Sequence, residues 1–350
     1  MKPTLVRRMI AAVLGNDGLN FVLTNRIPRR ALTRLMARIS RIEHPLFARP
    51  ALALWQACSD LDLNEAKRRQ FRSLHDCFIR ELRPGARPFN PDPDTLCSPC
   101  DAIVGACGEI TGDLVLQAKG MPYPLSELTG TPDIGDRYRG GRYLTLRITA
   151  SMYHRFHAPD DARIEHVQYF PGDTWNVNPP ALARVDRLFC RNERAAIRMR
   201  LQRDDTQILL VPVAAVLVAS LRLHALDLTL HAGYRGPHAL DCNHEVARGQ
   251  EMGWFEHGST IIMLVPAGFE LHPHMLAGHR LRAGEVVMRR RLGDSLPGNG
   301  TLRMAGPASP PTSTYRLESL PLMRARSTSC QTTPPSRVST PLPPDRGFPS

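Results

Sequence analysis

Three short clusters hold side chains that can move protons or attack a carbonyl: Ser98-Pro99-Cys100-Asp101, Tyr153-His154-Arg155-Phe156-His157-Ala158-Pro159, and Gly258-Ser259-Thr260. A carboxylate that orients an imidazole, and an imidazole that takes a hydroxyl proton, together make a serine nucleophilic. Such sets arise by chance in long chains, so residue types alone do not choose a reaction. The flanks of Ser259 lack a Gly-x-Ser-x-Gly elbow, which leaves an ordinary serine hydrolase with little support. Cys97 and Cys100 have C-x-x-C spacing, but no second Cys or His pair follows at the distance of a structural zinc site, and no metal is expected. His272 and His274 lack a nearby carboxylate pattern and stay unassigned. Arg289, Arg290 and Arg291 read as a solvated basic face, with contact to lipid phosphate as the other reading.

The elements that must position these residues change character along the chain. Leu32, Leu35, Met36 and Ile39 recur at the spacing of one helix face, and the first eighty residues read as helical. A further helix is expected from Asp62, with Glu65 three residues on as its capping partner, running towards Leu82 and stopping before Pro84. Beyond about residue 100 come short β-branched or apolar runs broken by Gly, Pro and Asp: Tyr143 to Ile148, Ile208 to Val218, Leu226 to Leu230 and Ile261 to Val265. The fold class is therefore α+β, with N-terminal amphipathic helices followed by a β-rich catalytic body. Boundaries fall at 1–82 for a basic helical region, 83–293 for the β-rich domain and 294–350 for a tail. That tail is rich in Pro, Ser, Thr and Arg, too poor in large apolar residues to offset ordering entropy, and is expected to be disordered.

The 350 residues carry a formal charge of +12, so an anionic partner is expected: nucleic acid, an acidic lipid surface or an acidic substrate. Much of the excess lies early, where Arg26, Arg29, Arg30, Arg34, Arg38, Arg41 and Arg49 face only Asp17 and Glu43 as acids within the first fifty residues. A basic amphipathic segment can lie in a membrane interface, each cation near an anionic leaflet adding about 1 kcal/mol. The same apolar stripe would also serve a helix pair packed on the domain. Eight scattered cysteines suit reduced thiols better than a disulfide scaffold. No apolar run approaches the length of a spanning helix, and Met9 to Leu14 is short for a signal-peptide core.

Taken in order, the motifs resemble those of the phosphatidylserine decarboxylase family over about residues 75 to 293. The resemblance begins at Phe78-Ile79-Arg80-Glu81-Leu82-Arg83-Pro84-Gly85-Ala86-Arg87-Pro88 and continues through Ser98-Pro99-Cys100-Asp101, Lys119-Gly120, Tyr123, Leu125, Leu128 and Gly130. His154 and His157 follow, then Pro171-Gly172, Val177-Asn178-Pro179, Asn192-Glu193-Arg194 and Gly249-Gln250-Glu251-Met252-Gly253, which leads to Gly258-Ser259-Thr260. Ala102, Ala214 and Ala219 stand where glycine is usual in the family, and His257 where leucine is common.

The resemblance implies self-cleavage into a large chain, 1–258, and a small chain, 259–350, with Ser259 converted into a pyruvoyl group. It assigns Asp101 to orient His157 and His157 to activate the Ser259 hydroxyl against the Gly258 carbonyl; His154 is the candidate for proton transfer during decarboxylation, because imidazole titrates near neutrality. The implied partners are phosphatidylserine, an anionic membrane surface and a second copy of the chain in a homodimer, not nucleic acid. The implied place is the cytoplasmic face of a membrane, the bacterial inner membrane first, as a peripheral protein. Tyr153 and Phe156 read as core packing rather than as pocket walls. Deleting residues 1–42 should weaken binding to anionic vesicles in a salt-sensitive way, and a sedimentation assay showing unchanged binding would remove the basic helices as the anchor.

Overall fold

A computed structural model describes residues 16–26, 28–118, 121–215, 220–231, 233–256 and 259–291. Helices come first, as the early periodicity requires: α1 (Asp17–Asn25), α2 (Arg29–Ile39), α3 (Pro45–Cys58) and α4 (Leu74–Phe78). The Asn16 side chain caps α1 by accepting from the amides of Gly18 and Leu19 at 3.1 and 3.0 Å. Along α2, Leu32, Met36 and Ile39 are half-buried, whereas Leu35 is 51% exposed. The stripe is therefore narrower than its spacing suggested. No helix among the described residues is long and apolar enough to cross a membrane.

The helix expected from Asp62 to Leu82 does not form. Only Leu74–Phe78 is helical, capped by Ser73, whose hydroxyl accepts from the Asp76 amide at 3.1 Å. Asp62 instead accepts from the Asn64 amide in a local turn. The reason is backbone competition: Lys67 donates to the Glu81 carbonyl, Arg83 donates to the Glu65 carbonyl, and Ala66 bridges to Leu82. Amides committed across the chain cannot also close helical turns.

Strands then take over: β1 (Thr95–Cys97), β2 (Ala102–Glu109), β3 (Leu114–Ala118), β4 (Met121–Pro124), β5 (Arg142–Ile148), β6 (Arg155–His157) and β7 (Ala162–Phe170). Short helices α5 (Leu125–Thr129) and α6 (Ile134–Arg137) precede β5, and α7 (Pro179–Leu182) and α8 (Leu188–Arg191) follow β7. The rest are β8 (Arg194–Leu201), β9 (Gln207–Ala214), β10 (Ser220–Leu223), β11 (Leu228–His231), β12 (Ala239–Val246), β13 (Glu251–Phe255), β14 (Ser259–Val265), β15 (Phe269–Leu271), β16 (Arg280–Leu281) and β17 (Val286–Arg290). An eight-stranded sheet runs β12-β7-β8-β9-β14-β5-β2-β16. Beside it stand a four-stranded sheet, β11-β10-β13-β6, a three-stranded sheet, β1-β17-β15, and the β3-β4 hairpin. The expected tail, 294–350, lies outside the described residues, as do Lys119, Gly120, Ala219, His257 and Gly258.

β14 explains the unbroken apolar run in its sequence. It lies between β9 and β5, and every residue from Ser259 to Val265 is buried. Ile261, Met263 and Val265 join a core with Leu144, Leu146 and Phe156 on one face. Ile262 and Leu264 join Tyr143, Val211 and Val177 on the other. A strand covered on both faces reads as continuous rather than alternating hydrophobicity.

β13 passes close to β10, with Gly253 opposite Leu223. A side chain at Gly253 would run into the Arg222 carbonyl and approach Phe156. Gly253→Ala should therefore force these strands apart, lowering the melting temperature by about 3–10 °C. A thermal scan matching the unsubstituted chain would refute this account.

Candidate active site

Ser259 is the first residue of β14 and pairs with Ile148 of β5 and Ala214 of β9. It is fully buried, and its Oγ has no hydrogen-bond partner among the described residues. An unsatisfied buried hydroxyl costs about 1–3 kcal/mol, so it marks a position held for something other than stability. Upstream, β13, which ends at Phe255, belongs to the four-stranded sheet, whereas β14, which begins at Ser259, belongs to the eight-stranded one.

Both histidines sit on or beside β6. The Nδ1–H of His154 donates to the Met152 carbonyl at 2.9 Å, and its ring packs against Phe78 with centroids 3.9 Å apart. Its own carbonyl accepts from the Phe255 amide, three residues before Gly258. His157 donates through Nδ1 to the Gly249 carbonyl at 2.9 Å, leaving Nε2 to accept the Tyr153 hydroxyl proton at 3.1 Å. Burial pushes the His157 imidazole down, an effect that the Gly249 carbonyl and the charges of Glu251 and Asp101 offset only in part. The ring is thus held neutral, with its basic nitrogen defined. Burial also pushes the Tyr153 phenol up, keeping it a donor.

Asp101 lies elsewhere in this arrangement. Its carboxylate takes two bonds from Arg87, at 2.7 and 2.5 Å, and one from the Ala283 amide at 2.9 Å. It makes no hydrogen bond to His157, and none joins His157 to Ser259 among the described residues. The imidazole expected to be oriented by Asp101 is oriented by Gly249 instead, while Asp101 acts on it through space. Arg87 also reaches Glu65 at 2.8 Å, and a polar cavity of about 340 Å³ is lined by Arg80, Arg87, Asp101, Tyr153, Arg282 and Glu285.

Sequence reasoning missed Tyr153, read as packing, although its four-residue spacing from His157 was a usable signal. It also missed Arg87, visible only as one more cation in an Arg-rich motif, and the Gly249 carbonyl, which no side-chain pattern can announce. Cys97 and Cys100 are buried, and desolvation pushes both thiols up.

Glu256, immediately ahead of the undescribed pair His257-Gly258, ties this region to the helices. It accepts from Arg41 at 2.7 Å and from Ser220 Oγ at 2.5 Å, and its other oxygen lies 3.2 Å from His75 Nε2. Burial alone would raise its pKa, but contacts from His75 and Ser220 and the charge of Arg41 bring it to about 2. Above this clamp, a cavity of about 820 Å³ lies between the helices and the end of the large sheet, with Met36, Leu54, Trp55 and Phe78 on one side and Ile148 and Ala215 on the other.

Against known proteins, the family model of phosphatidylserine decarboxylase matches residues 74–289. A phosphatidylserine decarboxylase proenzyme of Brevibacillus brevis is 33% identical over 275 residues, covering 77% of this chain and 97% of that protein. A proenzyme of the same name from Anaeromyxobacter is 32% identical over 286 residues, covering 78% and 98%. One from Haemophilus influenzae is 32% identical over 243 residues, covering 66% and 82%.

A carboxyl held below its ordinary value of 4.5 stabilises the fold above that pH and loses the contribution as pH falls towards 2. Glu256→Gln should thus destabilise the chain at pH 7, by at most about 3 kcal/mol. The difference from the unsubstituted protein should shrink between pH 4.5 and 2. Denaturant unfolding at several pH values reads this, and a pH-independent difference would show that the clamp is not ionic.

Proposed function

The chain belongs to the phosphatidylserine decarboxylase family, and from that premise we propose that it cuts itself between Gly258 and Ser259, converts Ser259 into a pyruvoyl group and decarboxylates phosphatidylserine to phosphatidylethanolamine. The observation that carries this reading is the buried Ser259 hydroxyl, without a partner among the described residues, at the start of a strand that both neighbours hold in register. A group formed at this position fits: it would stand at the end of β14, beside an apolar cavity large enough for part of a lipid.

For maturation, His157 is the proposed base. Its Nε2 lone pair takes the Ser259 Oγ proton once the Tyr153 hydrogen bond opens, and Oγ attacks the Gly258 carbonyl. The C–N bond breaks, the proton passes to the released nitrogen, and an ester replaces the peptide. Loss of the Ser259 α-proton then expels the Gly258 carboxylate and leaves a dehydroalanine, which water converts to the keto acid with release of ammonia. The negative charge of Asp101 favours the protonated form of His157.

When present, the pyruvoyl ketone supplies the electron sink that carbon dioxide loss requires. His154, fixed by Met152 and Phe78, is the proposed group that delivers a proton to the substrate α-carbon once carbon dioxide has left. The dry apolar surroundings of β14 keep bulk water from that carbon. Attachment to the cytoplasmic face of a bacterial inner membrane belongs to the same proposal, supported by Leu46 and Leu54 of α3, which are 83% and 64% exposed, the second also lining the cavity. So does a homodimer, which light scattering would check.

Intact mass analysis tests the central claim. Two fragments dividing at 258/259 are expected, the smaller carrying a ketone in place of an amine, and a single unbroken chain with a normal hydroxyl would overturn it. Ser259→Ala should stay full-length and inactive, and His157→Ala should slow cutting by about 100-fold or more. His154→Ala should separate cutting from turnover. If it matures and decarboxylates at the normal rate, its assigned role is wrong.

A further inference from the structure

The large cavity contains one side chain whose position packing does not explain. Arg147 of β5 lines it and is the only charged residue to do so among those described. Other part-buried arginines are satisfied: Arg87 by Asp101, Arg155 by Glu251, Arg194 by backbone carbonyls. The Arg147 side chain makes neither a hydrogen bond nor an ion pair among the described residues, and burial pushes its guanidinium pKa down. The polar rim offers it no counter-charge, because Asn20, Thr24, Thr149, Asn176 and Asn178 are all neutral. A half-desolvated cation with no counter-charge is held in place at a free-energy cost, and an anionic ligand would remove that cost.

Strand register fixes where such a ligand must lie. Arg147 is opposite Thr260, and its neighbour Ile148 is opposite Ser259. Alternation turns the Arg147 side chain to the face bearing Val177 and Ala215, where the cavity opens, while Ile148, Thr149 and Ala150 carry the cavity around the strand end. At its other side the cavity reaches Phe78, which packs on His154. Paired strands lie about 4.8 Å apart and neighbouring residues about 3.3 Å, so Arg147 stands about 6 Å diagonally from Ser259, within the reach of one phosphoserine headgroup. We propose that Arg147 binds the phosphodiester of the lipid substrate, holding the headgroup at the end of β14 while the acyl chains lie against Met36, Leu54 and Trp55. Guanidinium suits this role because its fork meets two phosphate oxygens at once. The proposal rests on the decarboxylase reading for the identity of the lipid, but not for the binding of its phosphate.

The test uses the full chain and two soluble probes that cannot react: dihexanoyl phosphatidylglycerol, which has the phosphodiester but no amine, and dihexanoylglycerol, which lacks the phosphate. By titration calorimetry, Arg147→Gln should bind the first probe about tenfold or more weaker than the unsubstituted chain and the second unchanged. KM for dihexanoyl phosphatidylserine should rise with little change in kcat, and self-cutting should remain complete by mass. Equal binding of phosphatidylglycerol by both chains, or equal loss of both probes, would overturn the proposal. Competition by millimolar inorganic phosphate as strong as that by the lipid would also overturn it, since the site would then hold a free anion. Should Arg147→Gln fail to fold, Arg147→Met carries the same comparison. If the unsubstituted chain proves uncut, the decarboxylase reading fails, yet the two-probe comparison still decides whether Arg147 reads phosphate.

Discussion

The backbone pairing of β14 with β5 and β9 is the constraint on which the rest depends. Ser259 through Val265 pair with Ile148 through Arg142 on one side, and Ser259 through Leu264 with Ala214 through Leu209 on the other. A peptide bond broken just ahead of this strand therefore leaves the pairing from Thr260 to Val265 in place. The following strands are interleaved as well: β15 and β1 flank β17, and β16 pairs with β2. A small chain beginning at 259 would thus remain part of both sheets through contacts made by four strands. Buried apolar area, not the covalent link, would hold two such pieces together.

The same strand separates two environments. One face carries the Ser259 hydroxyl toward the core containing Phe156 and Phe255, and the other carries Thr260 toward the cavity side with Arg147. Helices α2 and α3 close that cavity, and Glu256, the residue after β13, binds Arg41, just past α2. The basic helical layer is thereby coupled to the end of β13, through a carboxylate ionised at any neutral pH. Charge that looks generic in the sequence has a specific local partner here.

What was legible follows from which interactions leave a local trace. β5 and β14 were visible because strands buried on both faces need continuous apolar runs, as in Ile261 to Val265. The missing helix after Asp62 was not, because its competitor is the distant backbone of Glu81 and Leu82, which no capping pattern within 62–65 encodes. Leu35 matched its helix stripe by spacing yet lies half-exposed, since spacing fixes an angle on the helix and not what covers it. Among site residues, Ser259, His154 and His157 could be named from motif order. Their hydrogen-bond partners could not, because Gly249 and Met152 act through carbonyls, which every residue possesses.

Those carbonyls also account for the state in which the imidazoles are held. A carboxylate bonded directly to a buried His157 would stabilise its protonated form and reduce the share of neutral base at pH 7. A carbonyl fixes the same ring orientation and the same tautomer with a weaker pull, so burial prevails and the ring stays neutral. Asp101, neutralised by Arg87 and held by Ala283, remains near enough to favour a proton on His157 without being bonded to it. The arrangement suits a base that must accept a proton briefly and return it, which a strongly ion-paired imidazolium would do poorly.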